Sequence, residues 1–240
     1  MIDLIAIDGP SYVGKSSISQ ALAALLGKTF INTGHMYRSI AKCCLEQGIS
    51  YKNASTVIEM AQKTQIKFKN APAGICQTIV NGQDWSNSLD NEQIVLFASK
   101  IASIPEVRHI LTEMQRSYAK KELIIMEGRD IGSVVFPDAM WKFYVTASSE
   151  IRASRMFKMM TDEDRQNVSG PAALIERINE IDEADMNRKI APLKKANDAI
   201  IYDNSDSPDA ARDALILYYY ITHTEELISN AGLLQKRRTF

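Results

Sequence analysis

An α/β fold built on a parallel sheet is predicted by three features of the chain. Short apolar runs alternate with helical patterns along most of its length, the arrangement that covers a parallel sheet with helices on both faces. The first apolar run passes directly into a glycine-rich turn and then a helix. With 240 residues, 45% of them hydrophobic, the chain is long enough to bury one large core.

The elements follow in order. Strands are expected over 4–7 and 29–31, with helices over 15–26 and 36–46. The stretch QIKFKNAPAGICQTIVNGQDW, 65–85, alternates its side chains and carries turn signals at 71–74 and at Asn81-Gly82. It predicts an antiparallel insertion beside the main sheet. A helix over 105–120 leads to strands over 123–126, 142–145 and 199–202, interleaved with helices over 149–160, 171–184 and 208–229. The polar TDEDRQNVSG, 161–170, reads as a mobile surface loop between two of those helices.

Composition excludes several classes. The net charge of -1 advertises neither a nucleic-acid nor an anionic-membrane partner. No apolar run of about 18 residues exists to span a bilayer, and Met1 leads straight into a strand-like IDLIAID, so a cytoplasmic protein is expected. Cys43, Cys44 and Cys76 form neither a disulfide framework nor a metal pattern. His109 and His223 read as ordinary helix residues, Tyr218, Tyr219 and Tyr220 as core and boundary packing, and the terminal LLQKRRTF as a solvated helix end or frayed tail.

The chemistry starts at Gly9, Gly14, Lys15 and Ser16, which match G-x-x-x-x-G-K-[ST] between a strand and a helix. The loop Gly9, Pro10, Ser11, Tyr12, Val13, Gly14, Lys15, Ser16 and Ser17 is expected to wrap the phosphates of ATP with its backbone N–H groups. Lys15 would reach the β/γ-phosphates, and the Ser16 hydroxyl could ligate Mg²⁺. Four further segments bear on the acceptor. In NTGHMYR, Thr33, a tight glycine turn and Arg38 could grip a second phosphate, or form a loop before a solvated helix. In ASKIASIPEVR, Ser99 and Arg108 flank a break and by themselves look structural. LIIMEGRDIGSVVFPDA places Glu127, Arg129 and Asp130 after a strand, at the carboxyl edge where open α/β sheets bind ligands. Glu127 could hold Mg²⁺ through water, and Arg129 offers a bidentate fork for phosphate. In DEADMNRKIAPL, Asp185 and Arg188 stand one helical turn apart, either facing one cleft or forming an exposed ion pair.

Taken together, DGPSYVGKSS, NTGHMYR, IPEVR, EGRDIGSVVFPDA and DMNRKIAPLKKANDA resemble the bacterial cytidylate kinase family of nucleoside monophosphate kinases, from Ile5 to about Leu217. The resemblance implies a three-layer P-loop kinase fold with a parallel central sheet, a β-containing monophosphate-binding insertion and a short lid. It divides the chain into a core of 1–33 and 105–240, a monophosphate-binding region of 34–104, and a lid of 155–171. It implies Mg²⁺-dependent phosphoryl transfer from ATP to CMP or dCMP by a monomer. By matched position, Ser99, Arg108 and Asp130 look like readers of the cytosine edge, Arg38 and Arg129 like grips on the acceptor phosphate, and Asp185 like a ribose contact. Arg188 looks like a contact to the transferred group, and Arg155 like a lid arginine over ATP, with Arg152 the weaker candidate.

Some positions depart from the family pattern. Ile181 stands where an arginine usually precedes the ribose-binding aspartate by four residues, and Met156 where a second lid arginine is common. Asn32 replaces an aspartate, His35 a small residue, and Glu127 the aspartate of the D-G-R-D block. Two alternatives therefore stay open: a related kinase for another small acceptor, and a nucleotide-binding regulator without turnover. A signalling GTPase is disfavoured, because no N-K-x-D guanine reader occurs.

Overall fold

The computed structural model describes residues 2–70, 76–119, 123–206 and 209–230. Along the chain run β1 (Ile2–Asp8), α1 (Lys15–Leu26), β2 (Thr29–Asn32), α2 (Thr33–Glu46), α3 (Ala54–Lys63), β3 (Ile66–Asn70), β4 (Cys76–Val80) and β5 (Gln83–Asp84). They continue as α4 (Glu92–Ile101), α5 (Pro105–Tyr118), β6 (Ile124–Gly128), β7 (Ala139–Thr146), α6 (Ser149–Met159), α7 (Asp162–Gln166), α8 (Pro171–Asn187), β8 (Ile200–Asp203) and α9 (Ala210–Asn230). A π-helical turn, Ile131–Val135, separates β6 from β7.

The central sheet has the order β2-β6-β1-β7-β8 with every pairing parallel. Asp8 lies level with Gly128 of β6 and Tyr144 of β7. The loops leaving these central strands therefore emerge side by side at one sheet edge. Alternation along the strands sends side chains to two cores. Leu4, Ala6, Ile31, Ile124 and Met126 pack with Met36, Ile40, Val57, Ile101 and Leu111 of α2 to α5. Ile5, Ile7, Phe30, Ile125 and Phe143 pack with Ile18 and Leu22 of α1 and Ala214 and Leu217 of α9. Each Leu, Ile, Val, Met or Phe side chain among them contributes about 1.5–3 kcal/mol by leaving water, so the two layers of helix are held by the sheet between them.

Strands β3, β4 and β5 form the expected antiparallel sheet. Its Asn81-Gly82 turn has positive φ at both residues, 49° and 88°, as a tight hairpin requires. The turn expected at 71–74 and the tail from 233 lie outside the described residues, as do residues 120 and 208 at two helix ends. No helix among the described residues is long and apolar enough to cross a membrane.

Four local expectations are corrected. The Thr33-Gly34 pair is the first turn of α2, because the Asn32 side chain accepts the His35 N–H at 3.1 Å and starts the helix early. The 161–170 segment contains α7, capped by Thr161, whose Oγ1 accepts the Asp164 N–H at 3.1 Å. Helix α8 ends at Asn187, leaving Asp185 in its last turn and Arg188 in extended backbone just beyond it. Tyr218, Tyr219 and Tyr220 are exposed on α9 rather than packed inside, with the Tyr219 ring stacked on His223 at 3.7 Å.

Candidate active site

The loop after β1 is shaped by contacts that exclude side chains. Gly9 has φ 146°, and a Cβ there would meet the Val145 carbonyl oxygen at 2.1 Å. Gly14 has φ 94° and would drive a Cβ to 2.6 Å from Asn204 Nδ2. Asn204 Nδ2 donates to the Val13 carbonyl at 2.8 Å, Arg155 Nη1 donates to the same oxygen at 3.1 Å, and Arg152 Nε donates to the Ser11 carbonyl at 2.8 Å. These carbonyls are held outward, and no side chain caps the start of α1. The arrangement leaves the helix N-terminus as an anion site. Lys15 is buried, with Nζ donating to the Pro10 carbonyl at 2.5 Å. Burial, and then the charge of Arg129, pull its pKa down to about 7.

The carboxylate at the end of β6 faces this loop. Ser16 Oγ donates to Glu127 Oε1 at 2.7 Å, while Glu127 Oε2 is buried without a hydrogen-bond partner. Burial raises the Glu127 pKa and Lys15 opposes the rise. An orphaned carboxylate oxygen beside a hydroxyl suits a hard divalent cation that takes its remaining ligands from water and phosphate. Among the described residues no cluster of three His, Cys, Asp or Glu side chains could hold a metal by itself. Thr33 Oγ1 donates to the Glu127 carbonyl at 2.7 Å, which ties it to the strand end.

A row of arginines and carboxylates continues from there. Arg129 donates from Nε to Asp185 Oδ2 at 2.9 Å and from Nη2 to Ser11 Oγ at 2.7 Å. Arg188 Nη1 approaches Asp185 Oδ1 at 3.4 Å and its Nη2 lies 3.6 Å from Asp130 Oδ1, buried and without a hydrogen-bond partner. Asp185 and Arg188 are thus not an exposed pair. Arg108 Nη1 donates to Asp130 Oδ2 at 2.8 Å in a buried contact. Arg38 donates to the Gly34 carbonyl at 3.2 Å and pairs with Asp90. Arg38 thus stands apart from the row, and Ser99 is exposed on α4.

A family model described as cytidylate kinase matches residues 5–211. The chain belongs to the cytidylate kinase family. Relatives include the cytidylate kinase of Clostridioides difficile (strain 630), 38% identical over 84% of this chain and 90% of that protein. The cytidylate kinase of Methylococcus capsulatus is 36% identical over 85% and 90%. That of Caldicellulosiruptor saccharolyticus is 35% identical over 92% and 97%. This member of the cytidylate kinase family is a nucleoside monophosphate kinase, a phosphotransferase.

Several residues of this cytidylate kinase site had no sequence signal or a faint one. Asp8 accepts the Ile131 and Gly132 N–H groups at 2.8 and 2.7 Å and so joins the ends of β1 and the π-helical turn. Burial raises its pKa to about 6 against those two hydrogen bonds. An acidic residue closing an apolar strand just before Gly9 was the available hint. Arg152 is buried against Asp182 at 2.5 Å and donates to the Ser11 carbonyl of the loop. Asp90 and Glu92, which pair with Arg38 and Arg177, lie in a polar stretch with no pattern of its own.

Proposed function

We propose that this protein catalyses transfer of the γ-phosphoryl group of ATP to CMP or dCMP, giving ADP and CDP or dCDP. The observation that carries the reading is the unbroken row from Ser11 of the phosphate loop through Arg129 and Asp185 to Arg188 and Asp130. It leads from the phosphate loop to the buried Arg108–Asp130 pair. Phosphoryl transfer needs charge neutralisation and alignment more than covalent help, and that row supplies both. Lys15 and the α1 N-terminus take the donor phosphates. Arg38 and Arg129 orient the acceptor phosphate so that one of its oxygens attacks the γ-phosphorus in line as the bond to ADP breaks. Arg188 stabilises charge on the transferring group, and Asp130 with Arg108 offers a paired acceptor and donor to the base edge. Ser16 and Glu127 would hold Mg²⁺, the latter through water, and that ion when bound neutralises charge on the donor phosphates.

The 34–104 region would carry the acceptor and 155–171 would cover the donor, with Arg155 at its edge beside the loop; the unit acts as a monomer. A coupled ADP-release assay with ATP and Mg²⁺ tests the reading, comparing CMP, dCMP, UMP, AMP and no acceptor at equal concentration. CMP or dCMP alone should drive release. A second reading, a kinase for a different small acceptor, draws on the exposed position of Ser99 and on Ile181. Release driven by UMP or AMP at the rate of CMP would favour it.

A further inference from the structure

Arg38 reaches the carboxyl edge of the central sheet from the first turns of α2. That helix starts at the end of β6, where Thr33 Oγ1 donates to the Glu127 carbonyl at 2.7 Å. The guanidinium folds back over the same turn: Nε donates to the Gly34 carbonyl at 3.2 Å, and a Cβ on Gly34 would stand 3.0 Å from Nη2. The backbone of α2 therefore aims Arg38. Its Nη1 donates to Asp90 Oδ1, a partner 52 residues away in sequence. Asp90 is held in place from both sides. Leu89 before it is fully buried, the Asn91 side chain after it caps α4 by accepting the Gln93 N–H at 2.9 Å, and Glu92 pairs with Arg177 of α8. The Arg38–Asp90 pair is lopsided: 49% of the Asp90 side chain is open to water but only 18% of Arg38. The carboxylate thus covers, from the solvent side, a cation that the fold itself positions.

We propose that Asp90 is a specificity-determining residue for the acceptor, a carboxylate that holds Arg38 until the phosphate of a monophosphate takes its place. The role rests on the cytidylate kinase reading and adds to it a competitor built into the chain. A dianionic phosphate presents more oxygens and more charge to a guanidinium than a carboxylate does, and charge-assisted bonds strengthen accordingly. Asp90 loses little on leaving, because an exposed ion pair is weakly held and the freed carboxylate turns into water. The exchange selects a phosphate over neutral or carboxylate groups as the acceptor's anchor. It also lowers the acceptor's affinity by the strength of the pair that is displaced.

Steady-state kinetics of the full chain with ATP and CMP varied in turn, for the parent, Asp90→Asn and Asp90→Glu, test the proposal, with melting midpoints as the fold control. Asp90→Asn should lower the KM for CMP about two- to fivefold, the strength of an exposed ion pair, while the KM for ATP stays at the parent value. Asp90→Glu keeps the charge and should keep the parent's KM for CMP. An Asp90→Asn variant whose KM for CMP is unchanged or raised would overturn the role alone, a rise meaning that Asp90 aims Arg38 instead of competing for it. Equal falls for CMP and ATP would overturn it too, since they report lost negative charge at large. A parent that turns over no CMP would overturn the cytidylate kinase reading and the role with it.

Discussion

Lys15 and Asp8 show how far the fold bends ordinary side-chain chemistry. Lys15 sits buried with its pKa pulled down to about 7, so a phosphate bound beside it, as proposed, would restore its full positive charge. Lys15→Ala should lower turnover about 10²–10³-fold, the cost of losing one preorganised electrostatic partner, with the circular-dichroism spectrum unchanged; near-parent ADP release would refute the assignment. For Asp8, the folded pKa of about 6 lies above the ordinary value of 3.8. Between those values the folded state holds more protons than the unfolded chain, so stability falls as pH rises through the window. Urea midpoints at pH 4, 5 and 6 should therefore decline more steeply for the parent than for Asp8→Asn, by about 1–3 kcal/mol across the window. Equal slopes would mean that Asp8 does not titrate there.

At the level of elements, the loop is positioned by α6 and α8 through one buried ion pair. Arg152 bonds both Asp182 and the Ser11 carbonyl. Breaking such a pair on one side leaves an uncompensated buried charge and costs about 3–5 kcal/mol. Asp182→Ala should lose that much in urea unfolding. The double variant Arg152→Met, Asp182→Leu should regain most of it yet keep a raised KM for ATP, because Ser11 is no longer held. A double variant with parent kinetics would assign the pair to stability only. Elements differed in how legible they were. Helix α1 was expected over the residues it occupies, since a glycine turn opens it and Gly27, at φ 62°, closes it. Helices α3 and α4 carried weaker signals: α4 is EQIVLFASKI, a short apolar run whose period does not separate strand from helix. The π-helical turn had no signal, because the Asp8 carboxylate that receives its first two N–H groups arrives from 123 residues away in sequence.

For the molecule as a whole, the two cores lock helices to both sheet faces while the ligand groups collect at one edge. Nucleotides that bind only the folded state should stabilise it by about 2.7 kcal/mol at a hundred times their Kd, raising the melting midpoint by about 5–10 °C. An ATP analogue and CMP should each produce such a shift alone. Adding Mg²⁺ should enlarge the analogue's shift, and Glu127→Gln should remove about tenfold of the Mg²⁺-dependent affinity without changing the CMP shift. A Glu127→Gln protein with the parent's Mg²⁺ response would place the cation elsewhere.

By itself the sequence determined the alternating α/β order and the phosphate loop and marked Arg129, Asp130, Asp185 and Arg188 as candidates, because strand period, glycine spacing and motif chemistry are local properties. Tertiary structure alone decided who meets whom. It paired Arg108 with Asp130 and Arg129 with Asp185, bound Asp8 to the π-helical turn, tied Arg152 to Asp182 and the Ser11 carbonyl and left Ser99 exposed. Those outcomes depend on parallel pairing that brings the ends of β1, β6 and β7 level. Contacts across more than a hundred residues leave no period in the sequence from which to read them.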